Sequence, residues 1–164
     1  MQKTGNKNIT VRRAVISDGD ILCELINALA DYEKKKGLDI EARIRLKQDA
    51  FSSSSLFETY LADYEGKSVA YAIILYMYST FSAKPILYIE DIFVLPDYRS
   101  KGIGKTLFEY CMKLALEKKC YGMKWSVLHW NIPAIDFYKR YGAEQVDEWL
   151  SFSLTNEQLS KIIN

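Results

Sequence analysis

The chain has 164 residues, close to the roughly 150 of a typical domain, so one domain over 1–164 with a sizeable buried core is expected. Its 22 Lys and Arg balance 21 Asp and Glu, and a formal charge of +1 supplies no one-sided field for nucleic acid or an acidic membrane. At 49% hydrophobic and 26% charged residues, the composition is that of an ordinary globular domain and not of a disordered or fibrous chain. The longest apolar run, 70–78, falls far short of the roughly 20 residues a spanning helix needs. The opening MQKTGNKNIT carries charges and amides where a secretory signal has an apolar core, so a cytoplasmic location is expected. Cys23, Cys111 and Cys120 are an odd number without CxxC spacing, which reads as buried structural thiols with no disulfide framework or metal cluster.

Weak alternation over 9–14 precedes Ser17-Asp18-Gly19-Asp20, a cluster suited to capping a helix. Ile21, Leu22, Leu25, Leu29 and Tyr32 then repeat at three and four, which predicts a helix over 18–35 with Gly37 as its terminator. Lys34, Lys35 and Lys36 fall near the negative end of its dipole. A shorter helix is predicted over 41–50, and the serines of 52–55 read as a loop within one domain. Dense β-formers over 57–64 and 68–78, divided by Glu65-Gly66-Lys67, predict a hairpin. A strand of low polarity follows over 86–95, opened by Pro85 and closed by Pro96-Asp97. Helical spacing returns over 103–118. A strand over 123–128, a helix over 133–141 stopped by Gly142, a last strand over 146–154 and a short helix capped by Thr155 and Gln158 complete a mixed α/β order.

The segment from Tyr88 to Lys105, YIEDIFVLPDYRSKGIGK, passes from an apolar strand through a turn into a helix that opens on Gly102 and Gly104. Glycines there let the backbone approach a ligand, and the amides and dipole of a helix N-terminus favour an anion such as a pyrophosphate. Arg99, Lys101 and Lys105 add positive charge. A dinucleotide fingerprint would need glycine at Leu107, and a nucleotide-triphosphate loop would need one at Arg99, so both readings fail. On spacing alone, the two glycines also fit a simple tight turn.

The pattern Arg99-x-x-Gly102-x-Gly104 resembles the acyl-CoA pyrophosphate loop of the GCN5-related N-acetyltransferase (GNAT) superfamily. The Glu90-Asp91 pair, the Trp130-Asn131-x-Pro133 turn and the block from Phe137 to Ala143 resemble its spermidine/spermine group, which includes thialysine and other small-amine acetyltransferases. The resemblance implies an α/β (α+β) fold: a twisted, mixed, mostly antiparallel sheet with helices on both faces and a splayed central pair of parallel strands. It implies acetyl-CoA as cosubstrate, no metal, a small-molecule amine as acceptor and a homodimer, with neither nucleic acid nor membrane as partner. Ile92, Phe93, Val94, Arg99, Ser100, Lys101, Gly102, Ile103, Gly104, Lys105, Asn131 and Ala134 are the implied cofactor contacts.

An alkylamine with a pKa near 10.4 is only about one part in a thousand neutral at pH 7, so amine acetylation requires a proton acceptor. The resemblance assigns that role to Glu90 and assigns protonation of the leaving thiolate to Tyr138. Adjacent strand residues point to opposite faces, so only one of Glu90 and Asp91 is expected to line a given cleft wall. Asp91 either assists from the loop side or pairs with a lysine. Spacing alone reads Tyr138 as a half-buried helix tyrosine and Asn131 as a helix cap. Tyr32 and Glu33 match the family's amine contacts, but Lys34 to Lys36 stand where polyamine enzymes are acidic, which favours a smaller amine or an amino acid such as thialysine. His129, without a partner Ser, Cys or metal ligand, is read as structural. Acetylation of a protein or peptide amine and non-catalytic acyl-CoA sensing are the alternative functions.

Overall fold

The computed structural model describes residues 8–163, so most of the opening segment read against a secretory signal lies outside the described residues. The chain divides into two compact units, Met1–Ser126 and Val127–Asn164. In the first, five strands run β1 (Ile9–Arg13), β2 (Glu58–Tyr64), β3 (Lys67–Ser79), β4 (Lys84–Val94) and β5 (Met123–Trp125). They lie in sequence order across one sheet. Pairs β1/β2, β2/β3 and β3/β4 are antiparallel, and β4/β5 is parallel over Leu87–Ile89. Three helices accompany them: α1 (Gly19–Tyr32), α2 (Ile40–Phe51) and α3 (Ile103–Glu117). The mixed α/β class follows as expected.

Side-chain alternation divides the sheet between helices. Leu61, Tyr71 and Phe93 stand opposite one another on β2, β3 and β4, and Leu22 and Leu25 of α1 pack on that row. Tyr60, one residue away on β2, meets Tyr110 of α3 with ring centroids 5.2 Å apart. Burying Leu22, Leu25 and Leu61 in one cluster contributes about 2 kcal/mol for each side chain before chain entropy is subtracted. The hairpin between β2 and β3 turns at Glu65 (φ 51°) and Gly66 (φ 82°), two left-handed residues matched to the twist of the flanking strands.

The end of α1 differs from expectation. The helix stops at Tyr32, three residues early, and the left-handed residue that ends it is Lys34 (φ 56°), not Gly37. The Lys34 amide donates to Asp31 O at 3.1 Å and the Lys35 amide to Ala30 O at 2.8 Å, the paired bonds that close a helix C-terminus. Gly37 serves close approach instead. Its neighbour Leu38 donates to Asn27 Oδ1 at 2.7 Å, and a Cβ on Gly37 would lie 2.7 Å from that same oxygen.

The second unit holds α4 (Ile132–Lys139) and α5 (Asn156–Ile163). The expected capping box is present, with Thr155 N donating to Gln158 Oε1 and Gln158 N to Thr155 Oγ1. The strand expected over 123–128 stops at Trp125, and the one expected over 146–154 does not form. A strand exists only through a neighbour's ladder, and 146–154 pairs with no strand among the described residues despite its β-forming composition. Trp149, Leu150 and Phe152 are 77%, 83% and 91% exposed. Cys23 and Cys111 are buried as expected, whereas Cys120 is only half-buried. No helix among the described residues is long and apolar enough to cross a membrane.

Arg12 fastens β1 to the start of α1 and to the β2/β3 hairpin. Its guanidinium donates to both carboxylate oxygens of Asp18, at 2.7 and 3.0 Å, to Asp63 at 2.8 Å and to Ser68 at 3.3 Å. That bidentate grip holds the Asp18 carboxyl below the usual carboxylate range. Arg12→Ala is expected to cost about 1–2 kcal/mol in urea denaturation at pH 7, water screening part of a side chain about one-third exposed. Because Asp18 is depressed, its contribution is present above 3.8 and lost as pH falls, so the deficit narrows in acid.

Candidate active site

Near Glu90 the strand β4 departs from regular pairing. Asp91 stands opposite Ile73 and Ile89 opposite Ile74, so Glu90 is an extra residue, a β-bulge, with no partner on β3. The parallel pairing with β5 also ends at Ile89. From Glu90 to Val94 the far edge of β4 therefore carries no strand among the described residues of the sheet. Leu95 donates its amide to Val69 O at 3.0 Å, toward β3. Backbone groups alternate along a strand, so the N–H and C=O of Ile92 and Val94 point to that open edge. The Val94 carbonyl accordingly accepts from Arg99 Nε at 3.1 Å.

Beyond β4, Pro96–Tyr98 form a tight turn and the chain enters α3 through Ser100 (φ 61°) and Gly102 (φ 86°). Left-handed geometry explains Gly102, because nothing lies nearer than 4.0 Å to the Cβ it lacks. A Cβ at Gly104 would meet Val94 Cγ2 at 3.4 Å, ordinary contact, so packing within the protein does not require that glycine. The first helical amide bond is Thr106 N to Gly102 O at 2.9 Å, leaving the Ile103 and Gly104 amides ahead of it at the positive end of the dipole. Loop and helix N-terminus fit a pyrophosphate.

The three cations around this loop have partners in the protein. Lys105 pairs with Glu109 along α3, and the Lys101 ammonium lies 5.4 Å from the Tyr64 ring centroid. The Arg99 guanidinium lies 4.5 Å above the Tyr32 ring and 5.5 Å from that of Phe93. Arg99, expected on the cofactor, is thereby joined to Tyr32, expected on the amine.

Five titratable groups gather where α1 ends beside the bulge. Glu90 is exposed, whereas Asp91 is half-buried and accepts from the Tyr71 hydroxyl at 3.3 Å. Burial first, then the charge of Glu90, pushes the Asp91 carboxyl up to about 6; Glu33 adds to the rise, and the Tyr71 bond and Lys35 oppose it. Glu33 pairs with Lys35 at 2.6 Å. The alternation argued from sequence does not foresee the bulge, which interrupts the period-2 pleat at Glu90. Tyr71 and Lys35 were missed as site residues. Tyr71 reads from the sequence as one more buried β-former, and only the register sets it beside Asp91.

The second unit carries the other three expected residues. Asn131 is the N-cap of α4, but its side chain makes no cap bond; its carbonyl accepts from the amides of Ala134 and Ile135 at 3.1 and 3.0 Å. Tyr138 is half-buried in the last turn, its ring centroid 5.4 Å from that of Phe137. His129 lies in the preceding loop. Among the described residues, no group of three or more His, Cys, Asp or Glu is placed to hold a metal ion.

Comparison with known proteins gives this geometry its class. The model of the acetyltransferase (GNAT) family matches residues 23–143, a span that includes the bulge, the glycine loop and α4. The chain belongs to the GNAT family and is an acetyltransferase. It is 33% identical to a thialysine N-epsilon-acetyltransferase of Mus musculus over 164 residues, covering 93% of this chain and 95% of the relative. Over 107 residues, 64% of this chain and 47% of the relative, it is 37% identical to an L-ornithine N5-acetyltransferase of Arabidopsis thaliana. An integron cassette protein of V. cholerae shares the fold with a TM-score of 0.82 at 22% identity, covering 96% of this chain and 99% of that one.

The raised Asp91 carboxyl has a consequence for stability. A carboxyl titrating near 6 in the fold and near 3.8 when unfolded binds more protons in the native state between those values, so stability is full below 3.8 and falls as pH rises toward 6. Asp91→Asn removes that penalty while keeping an oxygen for Tyr71. Thermal unfolding is expected to show the variant more stable at pH 8, by up to about 3 kcal/mol, and equal to the parent at pH 3.5. Equal stability at both pH values would contradict the raised carboxyl.

Proposed function

We propose that the chain is a single N-acetyltransferase domain that moves the acetyl group of acetyl-CoA to the primary amine of a small molecule. The acceptor is a polyamine, a diamine or an amino acid of the thialysine type. The observation that carries this reading is the opening of β4 at Glu90, which joins unpaired strand amides, a glycine loop and a carboxylate cluster along one stretch of chain. Names of the relatives agree with it, since thialysine and ornithine are both amino acids with a distal amine.

The bond changes define what each group does. The amine nitrogen forms a bond to the acetyl carbon, the carbon–sulfur bond breaks, the amine gives up a proton and the departing sulfur takes one. Exposed Glu90 receives the amine proton, and Asp91, which stays largely ionised at neutral pH despite its burial, holds the cationic amine before it is lost. The outward amides of Ile92 and Val94 bind the pantetheine arm, and one of them polarises the thioester carbonyl, as N–H donors do where negative charge grows. Ile103, Gly104 and Lys105, with Arg99, Ser100, Lys101 and Gly102, hold the pyrophosphate. Tyr138 protonates the thiolate, with Asn131 and Ala134 contributing to cofactor binding. A cytoplasmic homodimer completes the proposal.

Thiol release from acetyl-CoA across spermidine, putrescine, lysine, thialysine and a lysine peptide tests the reading, with turnover of a small amine expected. Binding of acetyl-CoA without thiol release from any of them would favour a sensor, and turnover of the peptide alone a protein acetyltransferase. Tyr138→Phe is expected to lower kcat by about 10²-fold while acetyl-CoA affinity is retained. Gly104→Ala separates ligand from scaffold. It is expected to leave thermal stability unchanged or raise it by up to about 1 kcal/mol, as helix propensity favours alanine, and yet to weaken acetyl-CoA binding measured by calorimetry.

A further inference from the structure

The carboxylates at the proposed amine site include one cation among them, and the backbone fixes where it sits. The closing turn of α1, with Lys34 left-handed and the Lys35 amide bonded to Ala30 O at 2.8 Å, brings Lys35 back over the helix end. Its ammonium reaches Glu33 at 2.6 Å. The same ammonium and Asp91 act on each other electrostatically, as do Glu33 and Asp91. Lys36 is engaged elsewhere, 3.8 Å from Asp39 at the start of α2. Glu33, Glu90 and Asp91 alone would suit an acceptor with several positive nitrogens. Lys35 reverses the sign at one end of that row. Its side chain is 61% exposed against 20% for Glu33, so the ammonium keeps open directions for a second acidic partner while Glu33 anchors it.

We propose that Lys35 is the specificity-determining residue of the amine site: its ammonium, held on Glu33 beside Asp91, pairs with a carboxylate of the acceptor and repels a second cationic nitrogen that has no carboxylate beside it to offset its charge. The preferred acceptor is then a basic amino acid acetylated on its distal amine, in place of a diamine or polyamine. The inference rests on the reading of Glu33, Glu90 and Asp91 as the amine side of the site. Selectivity arises from a repulsive element as much as from an attractive one.

Matched pairs test it, because lysine and cadaverine, and ornithine and putrescine, differ only by the carboxylate. The parent protein is expected to show the higher kcat/KM for the amino acid of each pair. Lys35→Gln should lower that preference by about twofold to fivefold, the scale of a solvent-screened ion pair, and Lys35→Glu should lower it further or invert it. The change should fall on the amine KM, leave the acetyl-CoA KM unaltered and shrink as salt is raised. Circular dichroism checks that the variants, altered at an exposed position, remain folded. Calorimetric binding of the same four amines reads the preference without turnover. Should no amine be acetylated while binding preference still moves with Lys35, the acetyl-transfer reading fails and the role of Lys35 stands. A preference unmoved in both variants, or a parent protein that prefers the diamines, overturns it.

Discussion

The single extra residue in β4 is the constraint on which the rest of this structure depends. With Glu90 unpaired on β3 and β5 ending opposite Ile89, the strand gains an edge without a neighbouring strand among the described residues, at the point where it carries two carboxylates. Backbone alternation then turns the polar groups of Ile92 and Val94 outward, and the same strand runs on through Pro96 into the glycine loop and α3. An uninterrupted ladder with β5 would have consumed those amides. In the interior of a sheet such groups are costly to leave unpaired, so an opening of this kind persists only where a ligand or water meets it.

Two carboxylate environments on the α1 side of the sheet show how one fold sets opposite electrostatics. Asp18 faces a guanidinium that donates to both of its oxygens, and its charge is favoured. Asp91 faces one phenol and lies close to Glu90 and Glu33, and its charge is disfavoured. The first arrangement fastens three strands and a helix. The second opposes stability at neutral pH, and a buried group held against its own charge is the usual mark of a working site in a scaffold that is stable elsewhere. Arg99 links this cluster to the glycine loop, because it rests on Tyr32 and Phe93, whose rings lie 6.2 Å apart, and Phe93 in turn borders Tyr71.

Much of this was legible in the amino acids. Apolar spacing located α1 and α3, the Glu65-Gly66 pair located the hairpin, and the succession of strand, Arg99, Gly102 and Gly104 pointed to the family. These are local signals: each depends on the conformational limits of a few consecutive residues or on a face that must be buried. Composition misled where a partner was required. Residues 146–154 have the β-forming content of a strand but no ladder to join among the described residues, and Gly37 looked like a helix terminator although the chain turns left-handed at Lys34.

What the sequence by itself determined was therefore the class of protein and the strand, turn and glycine-opened helix proposed to bind the cofactor, because helix periodicity, glycine geometry and charge are properties of short segments. Only the tertiary structure decided which carboxylate is buried, which phenol faces it and which of three consecutive lysines meets Glu33. Those outcomes depend on the register between β3 and β4 and on the turn that ends α1, and a shift of one residue in either would send every side chain beyond it to another face.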